Sequence, residues 1–164
     1  MPEYPGFEPA HPTPPARPVE DLVRGTVFAA IAIPLGVLLW LIIWNFGVVA
    51  SIVAWLVAFA AGRLYALGAG HPTRRGAWIV VAVTVVTLVL AFLGGMWLDM
   101  VKELGLNPVD AVFDTATWGL FADNLTNNAE LWSAYTKDIL MAAAFCALGC
   151  FFTLRRIFAA SATS

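Results

Sequence analysis

The chain has 164 residues, enough for one domain, with an apolar fraction of 60% and a charged fraction of only 12%. That excludes an ordinary soluble composition, in which charged residues make up about a quarter. The net charge of −2 conveys almost nothing by itself, but no basic run suggests nucleic-acid binding, so no nucleic acid partner is expected.

Residues 1–24 begin MPEYPGFEPAHPTPPARP, which holds seven prolines. Proline has no N–H to donate and favours extended polyproline conformations, so this segment reads as a solvated tail. No basic region precedes an early apolar run, which argues against a secretory signal peptide.

The first span is expected over 25–44. Pro34 stands in its middle and cannot donate to the carbonyl of Ala30, so a kink is predicted there. Trp40 and Trp44 lie one turn apart near its far end, a spacing that suits the membrane interface. Asn45, Phe46 and Gly47 then read as a tight reversal into the second span, 47–68.

Small residues recur there at every fourth position: Ala50, Ala54, Ala58, Gly62, Ala66 and Gly70. In lipid, helix pairing gains little from the hydrophobic effect, so close backbone approach along such residues holds spans together. The repeat drifts by about 40° per step on a 3.6-residue helix, so two contacts in succession are predicted. Ala50–Ala58 should meet the first span and Gly62–Gly70 the fourth. Arg63 falls near the opposite membrane edge, where its side chain can snorkel to water, with an anion-binding or gating role as the alternative.

A short basic turn from Ala69 to Gly76 leads into the third span, 77–98, bracketed by Trp78 and Trp97 at the two interfaces. Gly94 and Gly95 loosen its end or permit close packing. Thr84 and Thr87 can bond back to their own helix.

The loop 99–136 is the one sizeable connection. Asn107-Pro108-Val109-Asp110 has the order of a helix start, and Val109, Val112, Phe113, Ala116 and Leu120 follow helical spacing. A short amphipathic helix on the membrane surface or over the bundle mouth is predicted. Asn127-Asn128-Ala129-Glu130 gives a second start, and one helix should run from it into the fourth span, 137–158. Residues 159–164 form a C-terminal tail.

All seven arginines lie in the N-terminal tail, at the connection after the second span, or after the fourth span, except that Arg63 sits at the end of the second. The segment 99–138 carries seven acids and two lysines. The positive-inside rule therefore places both termini in the cytoplasm and this loop outside the cell.

Catalytic material is sparse. His11 and His71 both lie outside the spans, so paired haem ligands across helices cannot be built. No acid lies between Leu22 and Leu98. Small multidrug exporters depend on a membrane-embedded carboxylate in their first helix, so a likeness to them fails here; Asp138 is the one candidate and lies at an edge. Cys146 and Cys150 share a helix face, but Cβ atoms four residues apart are about 5–6 Å from each other, too far for an unstrained disulfide. A copper(I) site joining them to Met96 and Met100 fails because the pairs lie toward opposite membrane edges. Asn124-Leu125-Thr126 matches a glycosylation acceptor but matters only in a secretory pathway. No catalytic, cofactor-binding or metal-ligating residue is expected, and no cofactor.

The run LLWLIIWNFGVVASIVAWLVAFAAGRLYALGAG, with the third apolar span and the C-terminal DILMAAAFCALG, resembles uncharacterised bacterial four-span integral membrane proteins. The Ala, Val and Trp content and the proline-rich leader resemble high-GC actinobacterial examples. The resemblance implies a fold and a location and lends no activity. The expected fold is all-α: a polytopic protein with four transmembrane helices in an antiparallel bundle and a short external amphipathic helix. The expected function is a non-enzymatic accessory or self-associating component of the cell membrane, with the lipid bilayer and a homo-oligomer or larger complex as partners. The alternative is a small channel or transporter, with Pro34, Gly36, Asn45, Ser51, Arg63, Thr84 and Thr87 along its path.

Overall fold

Asp21 stands in extended backbone and its carboxylate accepts the amide of Arg24, which starts helix α1 (Leu22–Ala30). The structure, a computed structural model, describes residues 19–46, 52–70 and 73–162. A turn at Ile31 separates α1 from α2 (Ala32–Asn45), three residues before Pro34. The predicted kink shows as an interruption of the helical hydrogen-bond ladder at Ile31, whose backbone stays helical at φ −61° and ψ −27°, because proline leaves the Ala30 carbonyl without its donor. Together α1 and α2 make one apolar segment of 24 residues.

Helix α3 (Ile52–Ala69) returns; residues 47–51, including Ala50, Ser51 and most of the predicted reversal, lie outside the described residues. Gly70, with φ of 76°, ends the run, and Thr73 caps α4 (Arg74–Glu103) by accepting the Arg75 amide. At 30 residues α4 is about 45 Å long, more than a hydrocarbon core of about 30 Å requires. It carries on beyond Leu98 into what the sequence reads as loop.

Two short helices follow. Asn107 caps α5 (Pro108–Phe113), with Pro108 in its first turn as predicted. The expected apolar stripe from Val109 to Leu120 is not one helix. Asp114 is extended and its carboxylate takes the amides of Ala116 and Thr117, starting α6 (Thr115–Asn127) on a new axis. A side-chain cap outcompetes helix continuation at such a residue. Asn128 then accepts from Glu130 and Leu131 and starts α7 (Ala129–Ala162), one residue later than the sequence signal at Asn127.

Four segments are long and apolar enough to cross a membrane, namely 22–45, 52–69, 74–103 and 129–155. The described residues form an all-α bundle with no strand. The core divides by depth. Nearer the α5–α6 end it is large and aromatic, around Trp40, Val57, Phe92, Met96, Trp97 and Phe121. Nearer the chain's N-terminus it is Ala29, Ala32, Ala61 and Ala69 around Tyr65, with Val80 and Val83. Trp40 and Trp97 are therefore core residues, at 2% and 7% exposure, and do not mark an interface; Trp78, at 65%, remains outside the core.

The contacts of α3 bear out the prediction in part and correct it in part. Gly62 meets the fourth span and Val57, within 50–58, meets Gly36 of the first, as expected. Ala58 also meets the fourth span, however, and the far end of α3 meets the first. A Cβ on Gly68 would lie 2.6 Å from the Arg24 carbonyl oxygen and one on Gly25 2.8 Å from the Ala69 Cβ, so the end of α3 meets the first span. Ala58 lies 3.0 Å from a Cβ placed on Gly149, and one on Gly62 would sit 2.8 Å from Thr153 Cγ2, so α7 takes its middle. The reason is connectivity. An antiparallel neighbour starting at Leu22 has its own first turns beside the last turns of α3.

Candidate functional site

At the end of the bundle that bears α5 and α6, one carboxylate ties three spans together. Asp99 Oδ2 accepts from Trp44 Nε1 of α2 at 2.9 Å and from the Tyr135 hydroxyl of α7 at 2.9 Å. The two donors stack on each other, with ring centroids 6.1 Å apart at 26°, and Phe92 meets both rings edge-on. Gly95 makes this possible: a Cβ there would lie 2.9 Å from the Trp44 indole. The glycine pair serves close packing, and α4 runs through it unbroken.

Above this node opens a cavity of about 700 Å³, lined by Met96, Asp99, Met100, Glu103, Phe121 and Glu130 among others. Its roof is α6. Trp118 stacks on Trp97 at 5.2 Å and 17°, donates its Nε1–H to the Val112 carbonyl, and meets Phe121 edge-on. Thr117 and Phe121 are the buried residues of this helix. The amphipathic segment therefore lies over the bundle mouth, while Val109 and Phe113 of α5 stay exposed. The Thr117 hydroxyl and the Ala116 amide bond the Asp114 carboxylate and hold it below its ordinary pKa.

The opposite end has its own node. Glu20, just before α1, accepts from the Tyr65 hydroxyl at 2.9 Å, from the Thr73 amide at 2.8 Å, and from the Thr73 hydroxyl. A carboxylate thus sits at the N-terminus of α4, where the helix dipole favours it.

The residues singled out from the sequence do not gather in one place. Met96 and Met100 line the cavity under α6; Cys146 is buried deeper in α7 and Cys150 is half-buried beyond it. Thr84 and Thr87 are fully buried, and each donates to the carbonyl four residues back, Val80 and Val83. Gly36 is buried against Thr87 and Val57, whereas Pro34 and Asn45 are exposed. Arg63 lies over the Phe59 ring at 5.1 Å. Asp138 is half-buried. His11, His71 and Ser51 lie outside the described residues.

Asp99, Tyr135, Glu20 and Tyr65 went unrecognised as ties in the sequence. The available signal was an acid flanking an apolar span with a tyrosine at an equivalent depth on another. Among the described residues, no group of three or more His, Cys, Asp or Glu is arranged to hold a metal ion. Comparison with protein-family models, with curated proteins and with solved structures finds no match to this chain.

Proposed function

We propose that this chain is a non-enzymatic structural or accessory component of a bacterial cell membrane, assembling with itself or with a larger membrane complex. Both termini and the connection between α3 and α4 face the cytoplasm in this reading, and the acidic mouth under α6 faces out. The observation that carries it is the packed middle of the bundle. Between Gly36, Trp40, Ala54, Val57, Thr84, Thr87, Leu88 and Ala91 the free space is about 10 Å³. That is at the lower bound of roughly 10–15 Å³ for one water. Both threonine hydroxyls there are spent on their own helix, so the interior serves cohesion. On α7, Ala143, Ala144 and Ala147 are exposed, and small residues let a second helix approach closely.

Purification in mild detergent with light scattering and mass spectrometry of the eluate tests this. A multimer or a co-purifying membrane chain is expected; a lone monodisperse monomer overturns it. Cysteines introduced beside Arg74 should resist an external, impermeant thiol reagent, and labelling there from outside overturns the orientation.

The cavity under α6 favours a second reading, a channel or transporter for a small solute with Asp99, Glu103 and Glu130 at its entrance. Solute flux into liposomes above that of empty vesicles would establish that reading in place of the first.

A further inference from the structure

Arg63 sits on the outward face of α3, with Leu56, Phe59 and Leu67 exposed beside it at 40%, 39% and 71%. Leu67 lies one turn beyond it toward the end of the helix. The apolar surface therefore continues past Arg63 on both sides, and the guanidinium emerges inside the apolar belt. Ala69, the last residue of α3, is about 9 Å farther along the axis at 1.5 Å per residue. The Arg63 guanidinium lies over the face of Phe59, and among the described residues no carboxylate pairs with it.

The same edge is rich in cations whose potential partners are already committed. Arg24, Arg74, Arg75 and Arg155 are all exposed. Arg24 lies over Phe28 at 5.8 Å and Arg74 over Phe158 at 5.6 Å. The two nearby acids are in use: Glu20 on Tyr65 and Thr73, Asp21 on the first turn of α1. The packing of Gly62 against Thr153 sets Arg155 about 3 Å farther along a parallel helix. A guanidinium at the acyl boundary is costly unless an anion meets it, and a phosphate offers the planar fork two acceptor oxygens.

We propose that this edge selects acidic phospholipids from the surrounding leaflet, with Arg63 drawing one lipid phosphate to the outward face of α3 and the other arginines supplying the field that prefers a net-negative headgroup. Spin-labelled phosphatidylglycerol and phosphatidylcholine, each compared in liposomes containing the full chain, measure the preference. The wild-type chain should favour phosphatidylglycerol, and Arg63→Gln should lower that preference about fivefold, the equivalent of about 1 kcal/mol per cationic side chain near an anionic surface. Arg63→Lys should keep most of it. Equal association of the two lipids with the wild-type chain, or an undiminished preference in Arg63→Gln, overturns the proposal. So does abolition of the preference by dilute inorganic phosphate at constant ionic strength, which would mark a free-anion site. Should Arg63→Gln not fold, the wild-type preference read against salt decides: it falls as screening rises, and a preference indifferent to salt refutes the proposal.

Discussion

The Tyr135 hydroxyl lies 2.9 Å from Asp99 Oδ2, a hydrogen bond across 36 positions of sequence that joins the start of α7 to the C-terminal half of α4. Trp44 donates to the same oxygen, so one carboxylate closes three spans. Bonds to a charged acceptor are worth about 1.5–3 kcal/mol, against about 1 for a neutral pair. Asp99→Ala should cost about 3 kcal/mol because two part-buried donors lose their acceptor, and Tyr135→Phe about 1.5 kcal/mol. Asp99→Asn, which can still accept, should fall between them. Reversible unfolding in mixed micelles ranks the three.

Two glycine substitutions should act in opposite directions. In Gly68→Ala the new methyl would lie 2.6 Å from the Arg24 carbonyl oxygen, and backbone cannot move aside cheaply. The expected cost is about 1–3 kcal/mol. Gly119, inside α6, has nothing within 4 Å of an added Cβ. Gly119→Ala should stabilise that helix by up to about 1 kcal/mol through backbone entropy. The same unfolding assay, with hydrogen exchange across 115–127, separates them.

The roof that α6 makes over the cavity should open at acid pH. Asp114 has its folded pKa depressed by Thr117 and Ala116, so its contribution to holding α6 is present above the unfolded value and lost as pH falls through the folded one. Amide protection in 115–127, relative to the intrinsic exchange rate at each pH, should therefore fall below about pH 4, while 77–95 stays protected. Asp114→Asn, which keeps a capping oxygen, should flatten that pH dependence.

Removing the Trp118 ring uncovers Trp97, which is 7% exposed and stacks on it. Trp118→Ala should cost about 3 kcal/mol at most, since Trp118 is itself 45% exposed. Trp97 emission should shift to the red in a variant where the remaining tryptophans are phenylalanine. An unshifted emission would show that α6 does not shield the mouth.

Along α3, Gly62→Leu should disturb the bundle far more than Leu67→Ala. A Cβ at Gly62 already approaches Thr153 Cγ2 of α7 to 2.8 Å, whereas Leu67 is 71% exposed. Comparable losses in thermal stability would contradict the packing role of the small residues.

Much of the fold was legible because it follows from local rules. Length and apolarity mark the spans, since no lipid-facing backbone can leave its hydrogen bonds unmade. Pro34 marks the interruption in the first span by its missing donor, and Asn107 with Pro108 marks α5. The second cap at Asp114 was less visible, because Asp is tolerated inside a helix and acts as a cap only where the chain turns. Trp40 and Trp97 looked interfacial by position, yet burial placed both in the core. A tryptophan's role depends on what stands across from it, which spacing along one helix does not convey.

By itself, then, the sequence determined an all-α chain with four spans, the small-residue face of α3, and the separation of arginines from acids. Each is written in one segment's own composition. Only the tertiary structure decided which neighbour each face meets, that α6 covers the bundle mouth, and that Glu20 and Asp99 tie the two ends. The Glu20 and Asp99 ties join residues 36 to 55 positions apart, and such pairings exist only once the helices have chosen their neighbours.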